Sequence, residues 1–349
     1  MNLFHSTVKE VNKSKGVSDC LLFEWEELWV QNYYFLLQRG YALRPRYHPD
    51  WDVDELDYPP EDSYQAGLVD AIRVADGKKV MLKHIPISTE ELFISSFVSS
   101  YPQTEDPRNH CVPLLDVILM PACETHVVIV MSRLYEHNEL PFRHAGELLE
   151  LAIQLTEVRT PFCSHQDFCR FNIMIDSTKI IPGGTHPWDP SSAPDGRQEG
   201  FKGGPKWRSR WSCRPNHYFV IDFGYSRKFT TNTGVRLLGI YGQDTSVPEM
   251  SLTEPYDPFP VDVYHLGNLL LNYYNKYEPD ETIDRLRSVA QKMTEKDPAM
   301  RPTAEEAASD LRCLSQSIGY FSRSRRVWPL RGYSTRRKWL IRLGVVNPM

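Results

Sequence analysis

The sequence predicts an α+β protein in which a small, strand-rich lobe precedes a larger helical one. Strand-forming residues flank the turn Asp76-Gly77, with Ala71, Ile72, Arg73 and Val74 before it and Val80, Met81, Leu82 and Lys83 after it. In residues 125–131 the apolar side chains of Val127, Val128, Ile129 and Val130 stand together, the pattern of a strand buried on both faces. After Leu134 the apolar spacing turns helical. It does so at Leu148, Leu149, Ala152, Ile153 and Leu155, and again at Val263, Leu266, Leu269, Leu270 and Tyr273. A third helix begins behind Pro302, where Thr303 and Glu306 have capping-box spacing and Ala307, Leu311 and Leu314 form the stripe.

In chain order, residues 1–60 form an N-terminal extension, aromatic-rich from Phe23 to Tyr34 without a clear period, that is expected to pack on the main body. The small lobe spans 61–134. Within it Ser88 and Glu91 have capping-box spacing, and Phe93, Ile94, Phe97 and Val98 follow at helical intervals, so a helix is predicted from about residue 89. The helical lobe spans 135–317 and carries an insert at about 177–217. Its Gly/Pro-rich run from Ile181 to Pro215 favours a long loop, although Trp188, Trp207 and Trp211 argue that parts of it pack back.

Residues 318–349 form a basic tail: from Leu311 onward there are nine Lys or Arg and no acidic residue, on a chain whose net charge is −5. With Trp328, Tyr333, Trp339 and Leu340 interleaved, the tail offers a surface to an anionic partner, or else docks on its own acidic body. No base-reading or stacking motif accompanies the charges, so sequence-specific nucleic-acid binding is not expected.

With 349 residues the chain is long enough for about two domains. Its hydrophobic share of 41% and charged share of 24% exclude fibrous and wholly disordered classes. Seven cysteines without a C-x-x-C pair suggest a reduced compartment and no zinc ligation. The polar first sixteen residues and the lack of a ~20-residue apolar run predict no transmembrane segment and a cytoplasmic or nuclear location.

Two short segments carry chemistry. His165, Asp167 and Asn172 have the spacing H-x-D-x-x-x-x-N, and the apolar run Phe219-Val220-Ile221 leads into Asp222-Phe223-Gly224. Taken singly each is weak, since Asp and Asn suit ordinary turns. In this order, behind the strand lysine Lys83, they resemble the eukaryotic protein kinase superfamily and especially the divergent protein-kinase-like proteins of fungi. The resemblance covers roughly residues 64–316 and implies a bilobal protein-kinase-like fold, a small β-rich N-lobe and a helical C-lobe.

It further implies ATP and Mg²⁺ as cofactors and transfer of the γ-phosphoryl group to a protein hydroxyl, most simply that of Ser or Thr. Asp167 would then orient the attacking hydroxyl and take its proton, while Asn172 and Asp222 would hold Mg²⁺ through oxygen. Lys83 would meet the α- and β-phosphates, with Glu91, or else Glu90, as its partner acid. Met131, Ser132 and Leu134 would line the adenine pocket at the hinge. Val247-Pro248-Glu249 matches the A-P-E element, Asp262 heads the buried helix that steadies the catalytic loop, and Arg301 would pair with Glu249. His165, Phe223 and Gly224 would be structural.

There are departures. No glycine-rich loop precedes Lys83, where only Gly67 lies; Gln166 stands in place of the usual Arg and Cys169 in place of the usual Lys; and 50 positions separate Asn172 from Asp222. They keep a second class open, a pseudokinase that binds or scaffolds with weak or no phosphotransfer. A small-molecule kinase shares the H-x-D-x4-N logic, but the D-F-G and A-P-E-like elements argue against it. Lys83 also suits an exposed edge strand, the Ser88 capping box also explains Glu91, and the insert also suits a tolerated spacer.

Overall fold

The computed structural model describes residues 22–51, 66–121, 123–158, 163–186, 207–231, 233–330 and 333–342. The first sixteen residues, Trp188 with the middle of the Gly/Pro-rich run, and the end of the tail from Leu343 lie outside the described residues. The chain is mixed α+β and divides into two compact units. No helix among the described residues is long and apolar enough to cross a membrane.

The first unit takes the described chain up to Ser96, Val112–Tyr135 and the part of Ile181–Trp207 that is described. Its sheet contains β1 (Tyr41–Leu43), β2 (Leu68–Arg73), β3 (Lys78–Pro86), β4 (Leu114–Leu119) and β5 (His126–Ser132), all antiparallel in the order β1-β2-β3-β5-β4. At the β2–β3 turn the Asp76 carboxylate accepts from Arg73 at 2.9 and 2.6 Å, and Gly77 takes a φ of 69°, which glycine enters without steric cost.

The sheet is apolar on both faces, which is why β5 reads as an unbroken hydrophobic run. Val80, Leu82, Val128 and Val130 face one core, and Ile85, Val127 and Ile129 face the other together with Leu92.

The aromatic stretch without a period forms two short helices, α1 (Glu27–Gln31) and α2 (Tyr33–Gln38), each too short to show one. Trp29 and Leu36 are fully buried in the first of those cores, and β1 pairs with β2 in the register Tyr41↔Arg73. A buried Arg46–Glu26 ion pair at 2.9 Å and an Arg44–Asp70 pair at 2.9 Å fasten the stretch. Residues 22–51 thus belong to the sheet and its core. Helix α3 (Glu91–Val98) begins at Glu91, two residues later than the capping-box spacing predicts.

The second unit is built on α4 (Ala145–Glu157), which is buried along most of its length. Strand β6 (Cys163–Ser164) follows, and β7 (Ile173–Ile175) leads into the insert. The insert returns through α5 (Arg210–Cys213) to β8 (Tyr218–Val220), which pairs antiparallel with β7. Next come β9 (Arg227–Lys228), paired with β6, and the pair β10 (Leu237–Gly239) and β11 (Ser251–Tyr256).

Helix α6 (Pro258–Tyr274) opens with Asp257 accepting from the Phe259 amide at 3.0 Å and with proline in its first turn. A Cβ on Gly267 would stand 2.7 Å from Met293 Cβ, so glycine lets α6 close on α7 (Glu281–Met293). Helix α8 (Ala304–Ser317) carries the predicted capping box: Thr303 accepts from the Glu306 amide at 3.2 Å, and the Glu306 carboxylate accepts from the Thr303 amide at 2.8 Å.

Part of the predicted loop is core. The guanidinium of Arg210, in α5, is buried over the Phe142 ring at 4.1 Å, and it donates to the carbonyls of His137 and Leu140 and to the Tyr218 hydroxyl. Local composition hides this, because Phe142 and the His137 and Leu140 carbonyls are some 70 positions away in sequence.

The described part of the tail docks on its own unit. Leu330 donates to the Lys276 carbonyl, Glu278 to the Trp328 carbonyl and Val327 to the Arg143 carbonyl, while Arg325 pairs with Asp280 and Lys338 with Glu278. Short helices α9 (Tyr320–Arg323) and α10 (Thr335–Arg342) complete it.

Candidate active site

Within the second unit, antiparallel pairing of β7 with β8 brings the residue just before β7 beside the residues just after β8. The Ile221 amide donates to the Asn172 carbonyl at 3.0 Å, so Asn172 and Asp222 meet at one end of the ladder although an insert separates them in sequence. His165 ties the same end to the loop. Its Nε2 donates to the Ile221 carbonyl at 3.1 Å, and its Nδ1 accepts from the Asp167 amide at 3.2 Å, a pattern that only a neutral ring protonated at Nε2 satisfies. Burial lowers the His165 pKa and favours that form.

Asp262 in α6 clamps the loop from beneath: its two carboxylate oxygens accept from the His165 amide at 2.7 Å and the Gln166 amide at 2.8 Å. Burial raises the Asp262 pKa, opposed by His165 and by the Gln166 amide.

Two residues of the site have strained backbone. Gln166 has φ 67° and Asp222 φ 62°, the left-handed region that costs a non-glycine residue roughly 1–3 kcal/mol. The surrounding hydrogen bonds hold them there. The Gly224 amide donates to Asp222 Oδ1 at 3.1 Å, and Phe223 is buried against the His165 ring with centroids 5.6 Å apart.

Asp167 is nearly buried and both of its oxygens are engaged. Oδ2 accepts from Asn172 Nδ2 at 3.0 Å, and Oδ1 accepts from the backbone amide of Gln243 at 2.8 Å. The Asn172 amide nitrogen is therefore committed to Asp167, and its oxygen is the atom suited to a cation. Gly242 makes the approach of the Gln243 amide feasible: at φ 77°, a Cβ there would stand 2.5 Å from the Gln166 carbonyl and 2.8 Å from Asp167 Oδ1. Asp244 anchors this segment to α6 by accepting from Asn268 Nδ2 at 2.7 Å.

At the two departures from the motif the chain offers no charge. Gln166 is fully buried with Nε2 donating to Ser164 Oγ at 2.9 Å, and burial pushes the Cys169 thiol up to about 11, so it stays protonated. Arg170 beside it lies over the Phe171 ring at 4.2 Å.

Further along the chain, Arg301 forks onto Glu249 at 2.5 and 2.8 Å and donates to the carbonyls of Pro260, Glu295 and Lys296. A cavity of about 640 Å³ in this unit is lined by Phe168, Asp262, Arg301 and Arg312, among others, and Asp167 and Asp222 are not part of its wall.

In the first unit, Lys83 Nζ lies 2.5 Å from Glu91 Oε1, across from β3 to the first turn of α3. The carboxylate of Glu91, which the sequence also assigns to a capping box, is on the lysine. Met131 and Ser132 end β5, and Leu134 follows two residues later, all three half-buried. Next to them Arg133 donates to the His186 carbonyl at 2.9 Å, which joins the start of the insert to this strand end.

Gly242, Gln243, His137 and Arg210 are the residues that motif reading passes over. Only Gly242 had a local signal, as the glycine nearest ahead of Val247-Pro248-Glu249. No protein-family model matches the chain, and no curated protein matches it.

Proposed function

We propose that the chain is an ATP-dependent phosphotransferase of the protein-kinase type, acting on a protein hydroxyl. The observation that carries the reading is the β7–β8 ladder end, where Asn172 and the Ile221-Asp222 turn are hydrogen-bonded together and His165 fastens the Asp167 loop to the same strand. An amide oxygen and a carboxylate are hard donors of the kind Mg²⁺ selects, so Asn172 and Asp222 fit that ion. When bound, Mg²⁺ neutralises charge on the triphosphate.

The remaining roles fall to the protein's own groups. Asp167 accepts the hydrogen bond of the attacking hydroxyl and then its proton, an in-reach carboxylate acting as general base. Each carboxylate oxygen keeps a second lone pair beside its present donor, so Asp167 can accept the hydroxyl while it also holds the Gln243 and Asn172 amides. Lys83, held by Glu91, supplies the positive charge for phosphate oxygens.

A second reading rests on that same Gln243–Asp167 bond. With both Asp167 oxygens engaged and no glycine-rich loop before Lys83, the fold would serve as a pseudokinase that binds or scaffolds.

Thermal unfolding with and without Mg-ATP separates the two readings from a chain that binds no nucleotide. Ligand at about 100 times its dissociation constant stabilises by roughly 2.7 kcal/mol, and Asp222→Asn should remove the magnesium-dependent part of the shift. Incubation with radiolabelled ATP and a mixed protein substrate then reports transfer. A rate lowered by orders of magnitude in Asp167→Ala, with the nucleotide shift kept, supports the transferase. A shift without transfer in the wild type supports the pseudokinase.

A further inference from the structure

The face of the sheet opposite Lys83 carries a cluster that the phosphotransfer reading does not use. Side chains alternate along β3, so Lys83 points toward α3 while His84 lies on the face of Leu82 and Val128. In the β3–β5 register His84 stands opposite Val128 and Pro86 opposite His126, which makes the two histidines diagonal neighbours on one face. Their rings stack with centroids 4.7 Å apart at 16°. Cys123, in the turn that leads into β5, reaches the same place. One ligand atom from each of His84, Cys123 and His126 lies within 4.8 Å of the others, and all three residues are half-buried.

We propose that His84, Cys123 and His126 form a binding site for a zinc-class divalent cation, with a fourth coordination position open to water. Two imidazoles and one thiolate are the borderline-soft donors that zinc prefers to magnesium or calcium, and three protein ligands with one open position is an established zinc arrangement.

The surroundings are those of a supported site. Thr125 Oγ1 lies 2.9 Å from His126 Nδ1 and 3.9 Å from Cys123 Sγ, so one hydroxyl orients two of the three donors. Separations up to 4.8 Å exceed those of a filled tetrahedral shell, with bonds near 2.0–2.3 Å, so loading the site requires rotamer adjustment of the three half-buried side chains. The sequence conceals the site because it contains only Cys-x-x-His locally, with His84 some 40 positions upstream.

Cobalt titration of the full chain after stripping with a chelator tests the proposal, followed by competition with zinc against a chromogenic chelator. The wild type should take up one equivalent of Co²⁺ with a near-ultraviolet thiolate-to-metal charge-transfer band, and zinc should displace it and raise the unfolding midpoint. Cys123→Ser should lose the band, and His84→Gln and His126→Gln should each weaken zinc binding by about tenfold or more. Cys313→Ser, at an exposed cysteine elsewhere, should change neither. Metal-free unfolding midpoints matching the wild type show that the variants fold. Uptake far below one equivalent by the wild type, or affinity unchanged in both Cys123→Ser and His84→Gln, overturns the site.

Discussion

Two ion pairs, one in each unit, show how differently the same bond can be used. Arg301–Glu249 in the helical unit is sealed, with the Arg301 side chain 1% exposed and its guanidinium also donating to three carbonyls. Lys83–Glu91 in the sheet unit joins a lysine 23% exposed to a glutamate 6% exposed. Arginine presents a rigid fork of five donors that a buried site can satisfy completely, whereas lysine is a point charge on a flexible stem. The difference teaches that the sealed pair is architecture, while the other leaves part of its lysine open to solvent.

The largest expected effect breaks the sealed pair. Arg301→Ala leaves Glu249 and three carbonyls uncompensated and should cost about 3–5 kcal/mol in urea unfolding. Arg301→Lys should recover little of it, because the fork is lost; full recovery would mean that charge alone matters there.

Next is Gly242→Ala, in the segment that touches Asp167. It places a Cβ against the Gln166 carbonyl at a φ of 77° and should cost roughly 1–3 kcal/mol. A fully stable variant would show that the segment can leave Asp167 freely.

Acid extends the comparison to buried neutral groups. His137 is fully buried, with Nδ1 donating to the Ile173 carbonyl at 2.6 Å and Nε2 accepting from the Tyr273 hydroxyl, and burial lowers its pKa from 6.5 to about 3. The unfolded chain takes up this proton below pH 6.5 and the folded chain does not, so stability present above that pH is lost as the pH falls toward about 3. The slope should be about 1.4 kcal/mol per pH unit from this one residue. His137→Gln should flatten the profile by that amount, and an unchanged slope would assign the acid sensitivity elsewhere.

The smallest effect on stability belongs to the open pair. Lys83→Met should cost about 1 kcal/mol, since the pair is partly solvated, yet it should abolish the nucleotide-dependent shift in midpoint. A large stability loss would make Lys83–Glu91 structural, like its counterpart in the other unit.

Elements that depend on near neighbours were legible. The Asp76-Gly77 turn, the apolar run of β5 and the Thr303–Glu306 capping box stand where the local pattern places them, because turn and cap chemistry acts over two to four residues. Helix α3 begins two residues late, and its capping-box acid is found on Lys83, where a cross-element partner outweighs a local one. Less was legible where partners are distant. Arg210 in a Gly/Pro-rich run, the Gln243 amide on Asp167 and His84 beside Cys123 and His126 leave no periodic trace, and β1 with its two short helices is too brief to show a period.

The sequence by itself determined the α+β character, the β2–β3 hairpin, strand β5 and the main helices, and the motif residues with their donor chemistry, all of which follow from side-chain type and short-range spacing. Only the tertiary structure decided that the insert brings Asn172 back beside Asp222, that both Asp167 oxygens are engaged, and that Lys83 and His84, adjacent in the chain, serve opposite faces of one sheet. The reason is physical: strand register and burial are set by contacts between residues tens of positions apart, and those contacts decide which polar atoms are shielded from water and which are left to meet a ligand.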